Sequence, residues 1–411
     1  MSVKPTITLI PSAYNTSKIY SVLPTDDSGD FAFSRTTKGT RINKDGLVEV
    51  IDIDTPRLDY SGGNCPKLLL ERQSTNLLGF SQEIDNAYWV KGNVTVDSNA
   101  LISPSGELNA DKIKPTLVNA SHNFRKNITA PTPSVNYTIS GYFKKGTITE
   151  LVIYKFGVAQ TEAFFDLENG TIISEGIAVV EATITDVGNG WYRCTVTHLQ
   201  GTSGNFTPAF AMSKNGSGVF IGQENDYFYA WGMQCEQVSI ATSYIPTLTI
   251  NTETRTVDNA YLYNYPQLTS YPFTVYAEAE IEAFGNVPFS VIDSAANDKY
   301  LLVQFTSSSS IGVLRRDAAT NDSDYHFGYS WAIGQNVKVA IAFINATSYR
   351  LFINGDEIAY VTSGDSIPFA HNDIILGQFR VASDTGTRNS IKDFKFYNQE
   401  LTDTQMRELT S

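Results

Sequence analysis

Short runs of alternating apolar and polar residues, each closed by Gly, Asn, Pro or Ser, recur through most of this chain. A period of two places successive side chains on opposite faces of a strand, and frequent turn residues keep each strand short. Residues 135–143 alternate and end at Lys144-Lys145-Gly146-Thr147. Residues 150–156 read as the next strand, and 164–167 as another before Asn169-Gly170, a strong hairpin signal. Asn189-Gly190 precedes a strand over 191–196, and 226–235 is aromatic-rich and strand-like. Further on, Phe273, Val275, Ala277, Ala279 and Ile281 share one parity, and 336–344 forms a strong strand pattern. Residues 349–353 run into Asn354-Gly355, and 391–397 is the last strand. This spacing predicts antiparallel sandwiches. Thr402 followed by Gln405 forms a capping box for a short C-terminal helix, with Leu401 and Met406 set for a hydrophobic staple.

The 411 residues suggest two or three domains at roughly 150 residues each. Residues 1–85 hold few periodic runs and are punctuated by Pro5, Pro11, Pro24, Pro56 and Pro66. Within them Lys67-Leu68-Leu69-Leu70-Glu71 reads as a buried strand. A segment this long without regular elements is expected to wrap on a neighbour or assemble with other subunits. The expected fold is therefore all-β. An irregular N-terminal attachment segment (1–85) precedes two antiparallel β-sandwiches of jelly-roll type (86–250 and 256–411), and a short helix closes the chain.

Charged residues are 18% of the chain, and Thr, Ser, Asn and Gly fill the difference, a mix suited to pleated surfaces and turns. With 43 acidic against 30 basic residues the net charge is −13, which argues against a nucleic-acid surface. No apolar run approaches the ~20 residues of a bilayer span, so no membrane insertion is expected. The N-terminus has no basic stretch followed by an apolar one, so no export signal is read there. Cys65, Cys194 and Cys235 lie far apart, in no CxxC pair, and read as buried free thiols.

Three stretches resemble known families. The segments "KPTITLIPSAYNTSKIYSVLP", "GDFAFSRTTKGTRINKDGLVEV" and "PRLDYSGGNCPKLLLERQSTNLL" resemble a module of tailed-phage structural proteins. In tail fibres and other virion appendages that module precedes carbohydrate-binding-like domains. The segments "GYFKKG", "FDLENGTI", "GNGWYRCTVT" and "YFYAWGMQCEQVSIATSYIPT" resemble the carbohydrate-binding-module-like jelly roll that follows in such proteins. Finally "FTVYAEAEI", "YRLFINGDEI", "ILGQF" and "IKDFKFYNQELTDTQMRELT" resemble a laminin-G or concanavalin-A-like domain. The resemblance implies a virion surface protein of tail-fibre or head-fibre type, made in the host cytoplasm and released by lysis. It implies contact with other virion proteins through the N-terminal segment, adhesion to host-surface glycan, and a homo-oligomer, with a trimer the first expectation. A purely structural decoration protein and a polysaccharide depolymerase are the alternatives.

The resemblance carries no catalytic residue, and the residues add no convincing one. Glu278, Glu280 and Glu282 share a strand face, and retaining glycosidases use carboxyl groups about 5–5.5 Å apart. No Asp lies between these glutamates, no Trp flanks them, and the opposite parity is apolar. The stripe reads as the solvated face of a sheet, and no enzyme activity is expected. His122, His198, His326 and His371 are scattered, in no HExxH pair. Arg193 beside Cys194 could lower its pKa, but the strand pattern makes a buried thiol the leading reading. Asn321, Asp322, Ser323 and Asp324, with Asn297 and Asp298, offer oxygen ligands. Calcium needs roughly six to eight of them, and by resemblance a structural calcium is the one cofactor to consider. Sugar-binding faces pair an aromatic platform with polar groups that satisfy hydroxyls. The candidates are Phe124, Tyr142, Tyr154 and Lys155. Each aromatic competes with a core reading, as do Trp191 and Trp231, which sit inside strand patterns.

Overall fold

The computed structural model describes residues 3–129, 132–202, 204–293, 299–316, 322–362, 366, 372–378 and 388–411. These fold as antiparallel strands with one helix, Asp403–Thr410, at the C-terminus. The chain divides into two compact units, and their boundaries differ from those expected. The first comprises Met1–Lys44, Ile51–Gln73 and Thr256–Ser411, and the second Asp45–Val50 and Ser74–Arg255. The second unit is thus an insertion into the first, and residues 1–85 form no separate domain.

The first unit is a sandwich of two sheets. One runs Asp356–Val361, Tyr349–Ile353, Gln335–Phe343, Phe273–Ile281, Asn389–Tyr397, Lys67–Leu70, Leu58–Asp59, with Ile7–Leu9 pairing alongside Asn389–Tyr397. The other begins Tyr14–Asn15, Lys18–Ile19, Phe31–Ser34, Asn259–Leu262, Asp373–Leu376 and continues through Phe289–Ile292 to Asp322–Gly328. Strands from residues 7–70 therefore belong to both layers. Ile7 lies opposite Phe396, Phe33 opposite Ala260, and Leu68 opposite Ile391. The parity of Phe273, Val275, Ala277, Ala279 and Ile281 faces the core, as its alternation predicts. Burial of Phe273, Val275 and Ile281 contributes about 1.5–3 kcal/mol each, and the two alanine methyls less. At the C-terminus the Thr402 hydroxyl accepts from the Gln405 amide and the Gln405 side chain bonds back, completing the capping box. Leu401 and Met406 pack in one buried cluster on the outside of the first sheet.

Polar residues of the N-terminal segment are fixed in this unit by buried charge. Arg35 Nη1 donates to Asp258 Oδ1 at 3.0 Å, Arg57 pairs with Asp258 Oδ2, and Arg57 Nη1 donates to Glu71 Oε2 at 2.7 Å. The Glu71 amide also donates to Asp258 Oδ2, at 2.9 Å. All four side chains are fully buried. The long "PRLDY…LLLERQ" pattern thus encodes a structural ion network.

The inserted unit is also a two-sheet sandwich. Its first and last strands, Ser74–Asn76 and Glu253–Arg255, pair antiparallel. One sheet runs Val90–Gly92, Asn123–Arg125, Pro208–Ser213, Glu150–Lys155, Ala163–Asp166, Thr171–Glu175. The facing sheet runs Val94–Ile102, Leu108–Pro115, Phe228–Glu236, Asn136–Lys145, Trp191–Leu199, Glu181–Asp186. Ile139, Phe143, Leu151, Ile153, Phe165, Val196, Phe210 and Met212 fill the space between them. Asn76 stitches the unit's ends together. Its Nδ2 donates to the Met233 and Ile245 carbonyls at 3.1 and 3.0 Å, and its Oδ1 accepts from the Leu78 and Cys235 amides. Glu236, fully buried, accepts from Ser74, Gln234 and Thr242. The "STNLL" and "MQCEQ" signatures are the two sides of that clasp. Cys194 and Cys235 are buried, as expected, whereas Cys65 is exposed on a turn.

Candidate functional site

The outer face of the sheet that carries Pro208–Ser213 has the make-up of a binding platform. Alternation fixes which side chains point there. Phe124, Phe210, Met212, Leu151, Ile153, Ala163 and Phe165 are in the core, so Asn123, Arg125, Ala209, Ala211, Val152, Tyr154 and Phe164 face outward. The strand register sets these in rows. Arg125 is opposite Ala209, and Ala209 is opposite Tyr154. Asn123 is opposite Ala211, Ala211 opposite Val152, and Val152 opposite Phe164. The middle strand carries only alanine methyls on this side, and these, with Val152 and Asn123, are buried beneath the larger side chains around them.

A hydrogen-bonded circuit spans that strand. Arg125 Nη1 donates to Asn123 Oδ1 at 2.6 Å, and Asn123 Nδ2 donates to Ser121 Oγ at 3.2 Å. The Ser121 side chain is hydrogen-bonded to the Tyr154 hydroxyl. Burial raises the pKa of Tyr154, against the Ser121 hydrogen bond and the charge of Arg125. The Arg125 guanidinium lies 4.0 Å from the Phe156 ring centroid, and the Tyr154 and Phe156 rings are 6.2 Å apart. Tyr154 and Arg125 are half-buried and Phe156 is 41% exposed, so the rings and donors meet solvent. At Gly92, on the adjoining edge strand, a Cβ would come within 2.8 Å of Arg125 Nη1. The missing side chain is what lets the guanidinium settle there.

Of the four residues expected to bind glycan, the structure puts only Tyr154 on this face. Phe124 points inward and stacks on Phe210 at 5.2 Å. Tyr142 is on the outer side of the other sheet, covered by Trp231 at 5.3 Å and Tyr244 at 6.0 Å. Spacing within one strand does not reveal that a later segment folds over it. Lys155 has the inward parity of Ile153. Its Nζ donates to Gln200 Oε1 at 2.7 Å, and burial lowers its pKa. These three offer no surface to a sugar. Trp191 and Trp231 are buried, but against segments that cover the outer side of their sheet rather than in the core between the sheets. Arg125, Asn123, Ser121 and Phe156 were not anticipated. The signal was in Pro-Ala-Phe-Ala-Met-Ser, where small outward residues alternate with large inward ones.

The glutamate stripe is engaged residue by residue. Glu278 accepts from Asn336 at 2.8 Å, Glu280 pairs with Lys67 at 2.7 Å, and Glu282 pairs with Arg388 at 2.6 Å while accepting from Ser390. Burial raises the Cys194 thiol well above its usual pKa, which makes it inert as a nucleophile. Among the described residues no group of His, Cys, Asp and Glu can hold a metal ion. His371, Asn297, Asp298 and Asn321, and the side chains of Asp322 and Ser323, lie outside the described residues. No helix among the described residues is long and apolar enough to cross a membrane.

Residues 254–407 match the family model Laminin_G_3, the concanavalin A-like lectin/glucanases superfamily. The match covers the C-terminal part of the first unit and leaves out the strands that residues 7–70 add to it. None of the curated proteins compared matches the sequence. Among solved structures, the CBM40 of the Ruminococcus gnavus IT-sialidase, bound to α2,3 sialyllactose, is 16% identical. The likeness covers 35% of this chain and 85% of that one, with a TM-score of 0.31. The receptor binding domain of botulinum neurotoxin type G is 19% identical over 33% of this chain and 37% of that one, at 0.27. The SAP-like pentraxin of Limulus polyphemus is 13% identical over 34% and 70%, at 0.28. None of these likenesses assigns a ligand to this chain.

Proposed function

We propose that this is a non-enzymatic surface protein of a tailed-phage particle that adheres to host-surface glycan through its sandwiches. The observation that carries the adhesion reading is the Tyr154–Phe156 platform beside Arg125 and Asn123. Aromatic faces suit sugar C–H groups, and the half-buried guanidinium, oriented by the buried Asn123 amide, would satisfy hydroxyls. The virion setting rests on the resemblance of residues 4–78 to phage appendage modules. Since residues 7–70 are strands of the first unit, contacts with other virion proteins would use its folded surface. Affinity per face would be weak, and several copies, a trimer in the simplest case, would supply avidity.

Binding of the full-length protein to an array of bacterial surface polysaccharides tests the adhesion reading. Tyr154→Ala should abolish the signal while leaving the fold intact. Retained binding in that variant would remove this face from the account. Gold-labelled antibody on intact particles tests the setting, and absence of label on every particle would sink it.

A structural decoration role is the second reading. It is favoured by Leu117, Val118, Val219 and Ile221, all exposed, the last two on the strand Val219–Ile221, which pairs with Asn119–Ser121. Exposed aliphatic groups gathered in this way suit contact with protein.

A further inference from the structure

We propose that the platform of the inserted unit receives an acidic saccharide, with the sugar carboxylate held by Arg125. This rests on the adhesion reading and names its ligand class. The chain is rich in carboxylates, and several arginines of the first unit pair with them: Arg35 and Arg57 with Asp258 and Glu71, and Arg388 with Glu282. Arg125 does not. Of its five N–H donors one, on Nη1, goes to Asn123 Oδ1, and its other neighbour is the Phe156 ring. No ion pair with a described carboxylate accompanies these contacts. The guanidinium is held flat by an aromatic ring and an amide, with its remaining donors toward solvent.

A planar fork of this kind matches a carboxylate through two parallel hydrogen bonds, and prior ordering lowers the cost of making them. The register also limits where a ligand lies. Arg125 and Tyr154 stand two strands apart, and the guanidinium reaches over the buried Ala209 to Phe156, so a ligand would meet the rim formed by Arg125, Tyr154 and Phe156. Glu162 precedes the strand that pairs with Ile153 on the other side of Tyr154, and its charge acts on the tyrosine against that of Arg125. The face is therefore polarised. An anionic substituent belongs at the Arg125 end, and hydroxyl donors belong at the Glu162 end.

The test uses the full chain and a panel of acidic bacterial polysaccharides, each paired with its carboxyl-reduced neutral form, plus a phosphodiester-linked polymer. The acidic forms should bind at least about tenfold more tightly than their reduced partners, the size of one charge-assisted contact. Arg125→Gln should lose the same factor, and Arg125→Lys should recover part of it, since it keeps the charge and loses the fork. Thermal unfolding of both variants controls for folding. Equal binding of acidic and reduced forms, or an unaffected Arg125→Gln, would overturn the carboxylate assignment and leave the adhesion reading standing. Binding of the phosphodiester polymer alone would overturn it as well. No binding to any polymer would overturn both.

Discussion

Replacing Asp258 with Ala should unfold the first unit preferentially. Its carboxylate accepts from Arg35, Arg57 and the Glu71 amide, all out of reach of water. Removing one partner of a buried ion pair costs about 3–5 kcal/mol, because the remaining charge stays desolvated. Here two guanidinium groups lose an acceptor. Arg57 keeps Glu71 and the Thr40 carbonyl, and Arg35 keeps the Asp52 carbonyl, which limits the loss. The expected total is about 4 kcal/mol, a large part of the roughly 5–15 kcal/mol that stabilises a domain. Hydrogen exchange in graded urea, read by mass spectrometry on peptides from each unit, separates the effects. Protection should fall in Phe273–Ile281 and Asn389–Tyr397 and persist in Phe228–Glu236. A loss under about 1 kcal/mol in the first unit would refute the reasoning, since the arginines would then need no carboxylate.

Three further outcomes follow from the packing. A fragment spanning 254–411 should not fold alone, because strands from residues 7–70 are missing from both its sheets; adding a peptide of residues 1–73 should restore β circular dichroism, and a stable 254–411 fragment would contradict the topology. Burial raises the Asp111 carboxyl to about 6, so its contribution is greatest below pH 4, and about 3 kcal/mol is lost as pH rises through 6. Burial lowers His198 to about 4, so its contribution is present above pH 6.5 and lost as pH falls toward 4. The two oppose each other in the inserted unit. Urea titrations at pH 4 and 6.5 should show His198→Phe gaining stability on acidification and Asp111→Asn losing it, and parallel profiles would contradict both assignments. Gly146→Ala should destabilise the same unit, because a Cβ there falls 2.3 Å from the Tyr227 ring and 2.4 Å from its backbone carbonyl; an unchanged melting temperature would contradict that close approach.

Strand content was legible because alternation and turn residues are local signals. The helix cap at Thr402 and the inward parity of Phe273 to Ile281 were read correctly for that reason. What escaped was pairing between distant segments. Residues 7–70 looked irregular because their strands are short and flanked by proline, and their partners lie beyond residue 255. The same limit applied to the site. Phe124 and Lys155 share the inward parity of neighbours that lie in the core, a pattern present in the sequence. The cover over Tyr142 comes from Tyr244, about a hundred residues away, and nothing local announces it.

The insertion has a consequence for the order in which the chain is made. Ile7 cannot pair until Phe396 exists, yet the inserted unit is complete once residue 255 has emerged. At about 5–20 residues per second, the first strands wait roughly 20 s to over a minute for their partners. During that time Phe31, Leu68 and Leu70, apolar and destined for the core, remain open to water and to other nascent chains. The inserted unit shortens the danger by closing its own ends early, through the Ser74–Asn76 and Glu253–Arg255 ladder. It thereby turns the entropy of a long loop into a short one before the surrounding sandwich assembles. Recombinant yield should accordingly depend on translation speed and chaperone supply more than on the final stability of either unit.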